Sequence, residues 1–295
     1  MRCSCAKMPD LFSVLSRMAT AVTSAGDVSA SDAAHIMLDE NILTGPILVI
    51  VVAMFLPILV YYVINREIRS GFFPFISGAL TYIVLYIAQL ALELLFSFAI
   101  PGDSVPTALS IIISLLLAAG MAYGTFRSMR IYRRKLPHTG HGVGVLTGYC
   151  FSELTLLVAA PAIVTVIATY NLLGAAQAGQ VLSGQEIAVI AQAGSVGISD
   201  YIASTVNCLV WIAARAAAGV MLWLAATKKD AMPCLFAGMG VFILMTVPTM
   251  LNGYASLGTW WCVVILAVIT AAAWYAAVWL HKRYIDNPVI RSTHK

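Results

Sequence analysis

Residues 143–170 read VGVLTGYCFSELTLLVAAPAIVTVIATY, with Glu153 as the sole charged residue. A helix of about 20 apolar residues, rising ~1.5 Å each, crosses the roughly 30 Å hydrocarbon core of a bilayer. This stretch is longer than that, so it reads as a membrane span that tilts or runs on into the interface. Glu153 comes ten residues into it, about 15 Å deep. A carboxylate at that depth is costly and normally faces a bundle interior or a wet cavity.

Working outward, runs of the same kind recur. Spans are expected at about 43–64, 72–100, 105–126, 143–170, 201–227, 232–250 and 259–281. The composition agrees: 61% of the 295 residues are hydrophobic and only 10% are charged, against about 25% charged in soluble domains. The fold class expected is therefore all-α and polytopic, a bundle of about seven transmembrane helices. The 1–42 segment is expected to be extracytoplasmic and partly disordered or interfacial. The helical domain takes 43–284 and a cytoplasmic tail 285–295. Within the first segment, LFSVLSRMATAVTSA is either a poor signal peptide, interrupted by Arg17, or an interfacial helix. The initiating methionine is Met1 or Met8.

Lys and Arg set the orientation. They occupy the loops after the first span (Arg66, Arg69), the third (Arg127, Arg130, Arg133, Arg134, Lys135) and the fifth (Lys228, Lys229), and the C-terminal tail. The alternate loops, near 101–104, 171–200 and 251–258, have none. The N-terminus is thus expected outside and the C-terminus inside, in a cytoplasmic (plasma) membrane of the bacterial inner-membrane type. The basic loop RSMRIYRRKLPHTGH could dock an ATPase, but such loops more commonly meet anionic lipid. The loop 171–200 is rich in Gly, Ala and Gln and suits a short amphipathic helix near Gln185–Gln192. No basic patch is interleaved with aromatic residues, so nucleic acid is not an expected partner. The scattered cysteines, four of them in or at the ends of spans, do not read as a disulfide framework.

Arg215, in STVNCLVWIAARAAAGVMLWLA, lies about as deep as Glu153. One reading pairs the two as a buried ion pair locking the fourth span to the fifth. The other leaves Glu153 unpaired, protonated and functional. Tyr149 is four residues before Glu153 and shares its face. Asn207 is eight before Arg215, only about 80° away around its helix. A cluster of Tyr149, Glu153, Asn207 and Arg215 is geometrically consistent. Glu93 lies nearer the outer surface. Pro161 is expected to kink the fourth span. No HExxH, Walker motif or Ser-His pair occurs, and no histidine lies at midplane depth.

The order of several short patterns resembles the YhfC-type intramembrane protease family, relatives of the PrsW and CAAX-processing glutamic membrane proteases. RSGFFPFISGALTYIVLY carries Gly78, Ala79 and Tyr82; AGMAYGTFR carries Ala119, Gly120 and Arg127; GYCFSE carries Gly148 and Glu153. The family's two glutamates fall on Tyr123 and Gly124, and its histidines fall on Tyr149 and Asn207. Its final His-x-x-x-Asp falls on Phe242 and Thr246. The resemblance assigns the catalytic positions to Glu153, Tyr149 and Asn207. It also implies that the family's divalent-metal ligands are lost here, so no metal or other cofactor is expected. It implies a catalytically degenerate member that binds transmembrane helices of partner or substrate proteins in the lipid bilayer. The alternative from the residues alone is a transporter or permease component with a polar midplane site. A purely structural membrane subunit is also consistent. The oligomeric state is not legible.

Overall fold

The computed structural model describes residues 43–68, 71–99, 107–136, 138–177, 183, 186, 196–228, 231–255 and 259–286. The expectations for the N-terminal segment and for the last residues of the tail lie outside these. Every described element is helical. In chain order they are α1 (Thr44–Ile68), α2 (Phe73–Ala99), α3 (Thr107–Ile131), a 3-10 turn (Arg133–Lys135), α4 (Thr139–Leu154), a π turn (Thr155–Ala159) and α5 (Ala160–Gln177). Then come α6 (Ile198–Thr227), α7 (Met232–Ala255), α8 (Thr259–His281) and a π turn at Lys282–Asp286. With no water in hydrocarbon to satisfy backbone groups, helices are what such apolar runs must form.

Six stretches are long and apolar enough to cross a bilayer: Thr44–Arg66, Phe73–Leu92, Ile111–Ile131, Thr139–Ala175, Ile198–Thr227 and Thr259–Ile285. A shorter apolar stretch, Met232–Pro248, lies in α7. The architecture is that of a multi-pass helical membrane protein. Its exposed residues include many large apolar ones, among them Phe55, Leu80, Val84, Leu116 and Val268. That outward apolar face suits lipid as the solvent.

The chain divides into two compact units. One holds Leu56–Glu153 together with the chain from Leu209 onward; the other holds Leu154–Cys208 and the stretch ending at Phe55. In the second unit, Gly45 at the start of α1 lies against the ring of Tyr201, where a Cβ would clash. Ser183 and Glu186 in this unit form a reciprocal capping box. The Ser183 amide and hydroxyl both donate to Glu186 Oε2 at 2.7 Å, and the Glu186 amide donates back to Ser183 Oγ at 3.4 Å. Those bonds hold the exposed Glu186 carboxyl below its ordinary pKa, the backbone amide contributing most. This is a helix-start signature just before the expected Gln185–Gln192 helix, most of which lies outside the described residues.

In the first unit the centre is the later half of α6. From Ala214 to Leu224 nearly every side chain is buried, as a helix apolar all round requires. Its small residues let α4 approach closely. Gly142 of α4 faces Gly219 of α6, and a Cβ on either would stand 2.6 Å from the other's carbonyl oxygen. On its other side α4 meets α2, where Gly78 faces the Val145 carbonyl and Gly148 the Phe75 carbonyl, again with no room for a Cβ. Trp223 Nε1 donates to the Leu136 carbonyl at 2.8 Å and ties α6 to the basic turn. The Thr81 and Ser128 hydroxyls, 2.8 Å apart, link α2 to α3. α7 packs against both α3 and α8.

Where a kink is expected at Pro161, the structure has a π turn at Thr155–Ala159. Proline has no N–H to give the Leu157 carbonyl. The helix instead widens into the π turn, where the Ala160 amide donates to Thr155 five residues back. Such π bulges relieve a broken ladder locally. Pro57 and Pro248 sit inside α1 and α7 without dividing them.

Candidate functional site: a buried guanidinium–carboxylate pair

Glu153 lies in the last turn of α4, with Tyr149 one turn before it on the same face. Opposite them, α6 supplies Arg215 and, one turn earlier, Trp211. Glu153 and Arg215 are each only 2% exposed. Arg215 grips the carboxylate with two edges of its fork: Nη2 donates to Oε1 at 2.6 Å and Nε to Oε2 at 3.0 Å. The Trp211 indole N–H donates to Oε2 at 2.7 Å. Bidentate, charge-assisted bonds of this kind are the strong class. They also offset the several kcal/mol per ion that desolvation costs.

Aromatic rings cover the guanidinium. Its central carbon stands 3.9 Å from the Phe242 ring centroid, 5.1 Å from Trp211 and 5.5 Å from Tyr149. Each ring presents a negative π face to the cation. Tyr149 in turn packs edge-on against Tyr82 and Phe242, at 4.9 and 5.7 Å. Beside the pair is a cavity of about 10 Å³, lined by Tyr82, Gln89, Tyr149, Glu153, Arg215 and Thr246 among others. Two buried polar atoms in its lining residues, Arg215 Nη1 and Tyr149 Oη, have no protein hydrogen-bond partner.

The structure thus brings together Tyr149, Glu153 and Arg215. Asn207 sits two turns before Arg215 on α6, in the other compact unit, partly buried and with Oδ1 unpartnered. Gly148 is spent on the α2 contact. On α3, Gly120 is exposed with open space around it, Arg127 is exposed, Tyr123 is 48% exposed, and Gly124 packs on Leu85. The cavity-facing residues of α3 are instead Ala118 and Met121. Phe242 and Thr246 of α7 both reach the site, Phe242 as the flat cover of the guanidinium. Glu93 is helical, and its side chain lies outside the described residues.

Trp211 and Gln89 were not anticipated from the sequence, and Tyr82 entered there only as the aromatic of a family pattern. The i, i+4 spacing of Trp211 and Arg215 was the available signal, and spans contain many such aromatic pairs. Among the described residues no three His, Cys, Asp or Glu side chains gather as a metal site. Cys150, Cys208, Cys234 and Cys262 are buried and form no disulfide among the described residues.

Chemically, the arrangement can hold a fixed ion pair and present a few spare donors. Both Glu153 oxygens already accept from Arg215, and one also accepts from Trp211. A general base needs an open lone pair within reach of the proton it takes. Comparison with family models, with curated proteins and with solved structures finds no match.

Proposed function

We propose that this chain is a non-catalytic membrane scaffold that binds a transmembrane helix of another protein. The observation that carries the reading is the state of Glu153: buried, bidentately bound by Arg215 and capped by Trp211. A carboxylate so engaged braces α4 against α6, with three of its roughly four acceptor sites taken. The ordered patterns around Gly78, Gly148 and Glu153 support kinship with YhfC-type intramembrane proteases, in a form whose glutamate pair and histidines are replaced. By that kinship the protein keeps the scaffold and not the chemistry, and uses no metal.

The same reading places the chain in the cytoplasmic membrane with its N-terminus outside and C-terminus inside. α7, packed against α3 and α8, is then a seventh crossing. The alternation of basic and non-basic loops supports this orientation. A transporter reading has less support, because the polar cavity as arranged has room for about one water and no larger solute.

Purification from native membranes in mild detergent, with mass spectrometry of co-purifying proteins, tests the proposal. A single-pass or short membrane protein in near-stoichiometric yield is the expected result. Recovery of a cytoplasmic ATPase, or of no membrane partner at all, would overturn it. A partner whose termini change when this gene is deleted would restore catalysis as the function.

A further inference from the structure

We propose that the cavity beside the Glu153–Arg215 pair is a binding site for one ordered water molecule. This water accepts a hydrogen bond from Arg215 Nη1 and exchanges one with Tyr149 Oη. Both atoms belong to deeply buried side chains, Arg215 at 2% and Tyr149 at 0% exposure, and both lack a protein partner. Buried donors in native proteins are nearly always satisfied, by water where protein does not reach. The two residues line one cavity, so a single occupant can serve both. Gln89 and Thr246 also line the cavity, and two hydrogen bonds already fall within the range a buried water makes.

Size and charge choose the occupant. The cavity is about 10 Å³, near the threshold for one water molecule. An anion is the other acceptor a guanidinium attracts, but Glu153 already balances the charge of Arg215. A second anion would leave a net negative charge in a low-dielectric bundle, where unpaired charge is costly. A neutral acceptor that can also donate fits both the room and the balance.

The sign of one substitution tests it. Tyr149→Phe keeps the ring against Arg215 and removes only the hydroxyl. If water bridges that hydroxyl, the variant loses a satisfied bond, and Tm in detergent falls by about 2–4 °C. If the hydroxyl is truly orphaned, its removal leaves Tm unchanged or raises it, and the proposal fails. An experimental density map fine enough to show ordered waters gives a second reading. A peak within about 3.2 Å of both atoms is expected, and its absence overturns the site. A bromide signal at that point, after exchange of chloride for bromide, would replace water with a halide and also overturn the proposal.

Discussion

Glu153 and Arg215 stand 62 residues apart in the chain and within 2.6 Å in space. Removing one partner strands the other charge in a buried site, at a cost of about 3–5 kcal/mol. Replacing both by apolar residues removes the desolvation penalty with the attraction, and is often close to neutral. Glu153→Leu and Arg215→Met are therefore each expected to lose about 3–5 kcal/mol, and the double variant much less than their sum. Unfolding of the purified proteins in micelles supplies the cycle. Simple additivity would show that the pair is not coupled. At this scale the two charges were conspicuous in the sequence because each is rare at its depth. Their aromatic cover was less so: Phe242 entered only through a family pattern, and Trp211 looks like any other apolar residue of a span. Which of them turns inward depends on the rotation of each helix, and that is set by neighbours distant in sequence.

Helix contacts in the first unit rest on small residues, as is common where lipid and core are equally apolar. Gly148 and Gly120 offer a controlled comparison. Gly148 lies against the Phe75 backbone with no space for a methyl group, whereas Gly120 has no atom near a built Cβ. Gly148→Ala must push two backbones apart and is expected to cost about 1–3 kcal/mol or more. Gly120→Ala is expected to be neutral or to stabilise by up to about 1 kcal/mol, through the helix preference of alanine. Thermal unfolding of the two variants side by side is the measurement; equal tolerance would contradict the close α2–α4 crossing. The patterns that carry the family resemblance contain both glycines, yet only the structure distinguishes their surroundings. The interruption near Pro161 was legible, because proline's missing donor is a local fact. Its form as a π turn was not.

For the molecule as a whole, the alternation of basic loops predicts which ends face the cytoplasm. In a cysteine-free background, Asp103→Cys is expected to react with a membrane-impermeant maleimide in intact cells, and Arg134→Cys only after permeabilisation. Labelling of both in intact cells, or the reverse pattern, would refute the proposed orientation. The membrane class, the helical elements and the approximate span positions needed no tertiary information. They follow from hydrophobicity summed over windows of neighbouring residues, a property each segment carries alone. α7 shows the edge of that rule: its apolar stretch, Met232–Pro248, is shorter than the other six. By contrast, only the tertiary structure decided that Arg215 and Trp211 together hold Glu153. It also decided that Phe242 covers the guanidinium and that Tyr149 and Arg215 share one cavity. Those outcomes require α4, α6 and α7 to meet at particular rotations. Residues scattered along the chain set those rotations together, so no single stretch of sequence contains them.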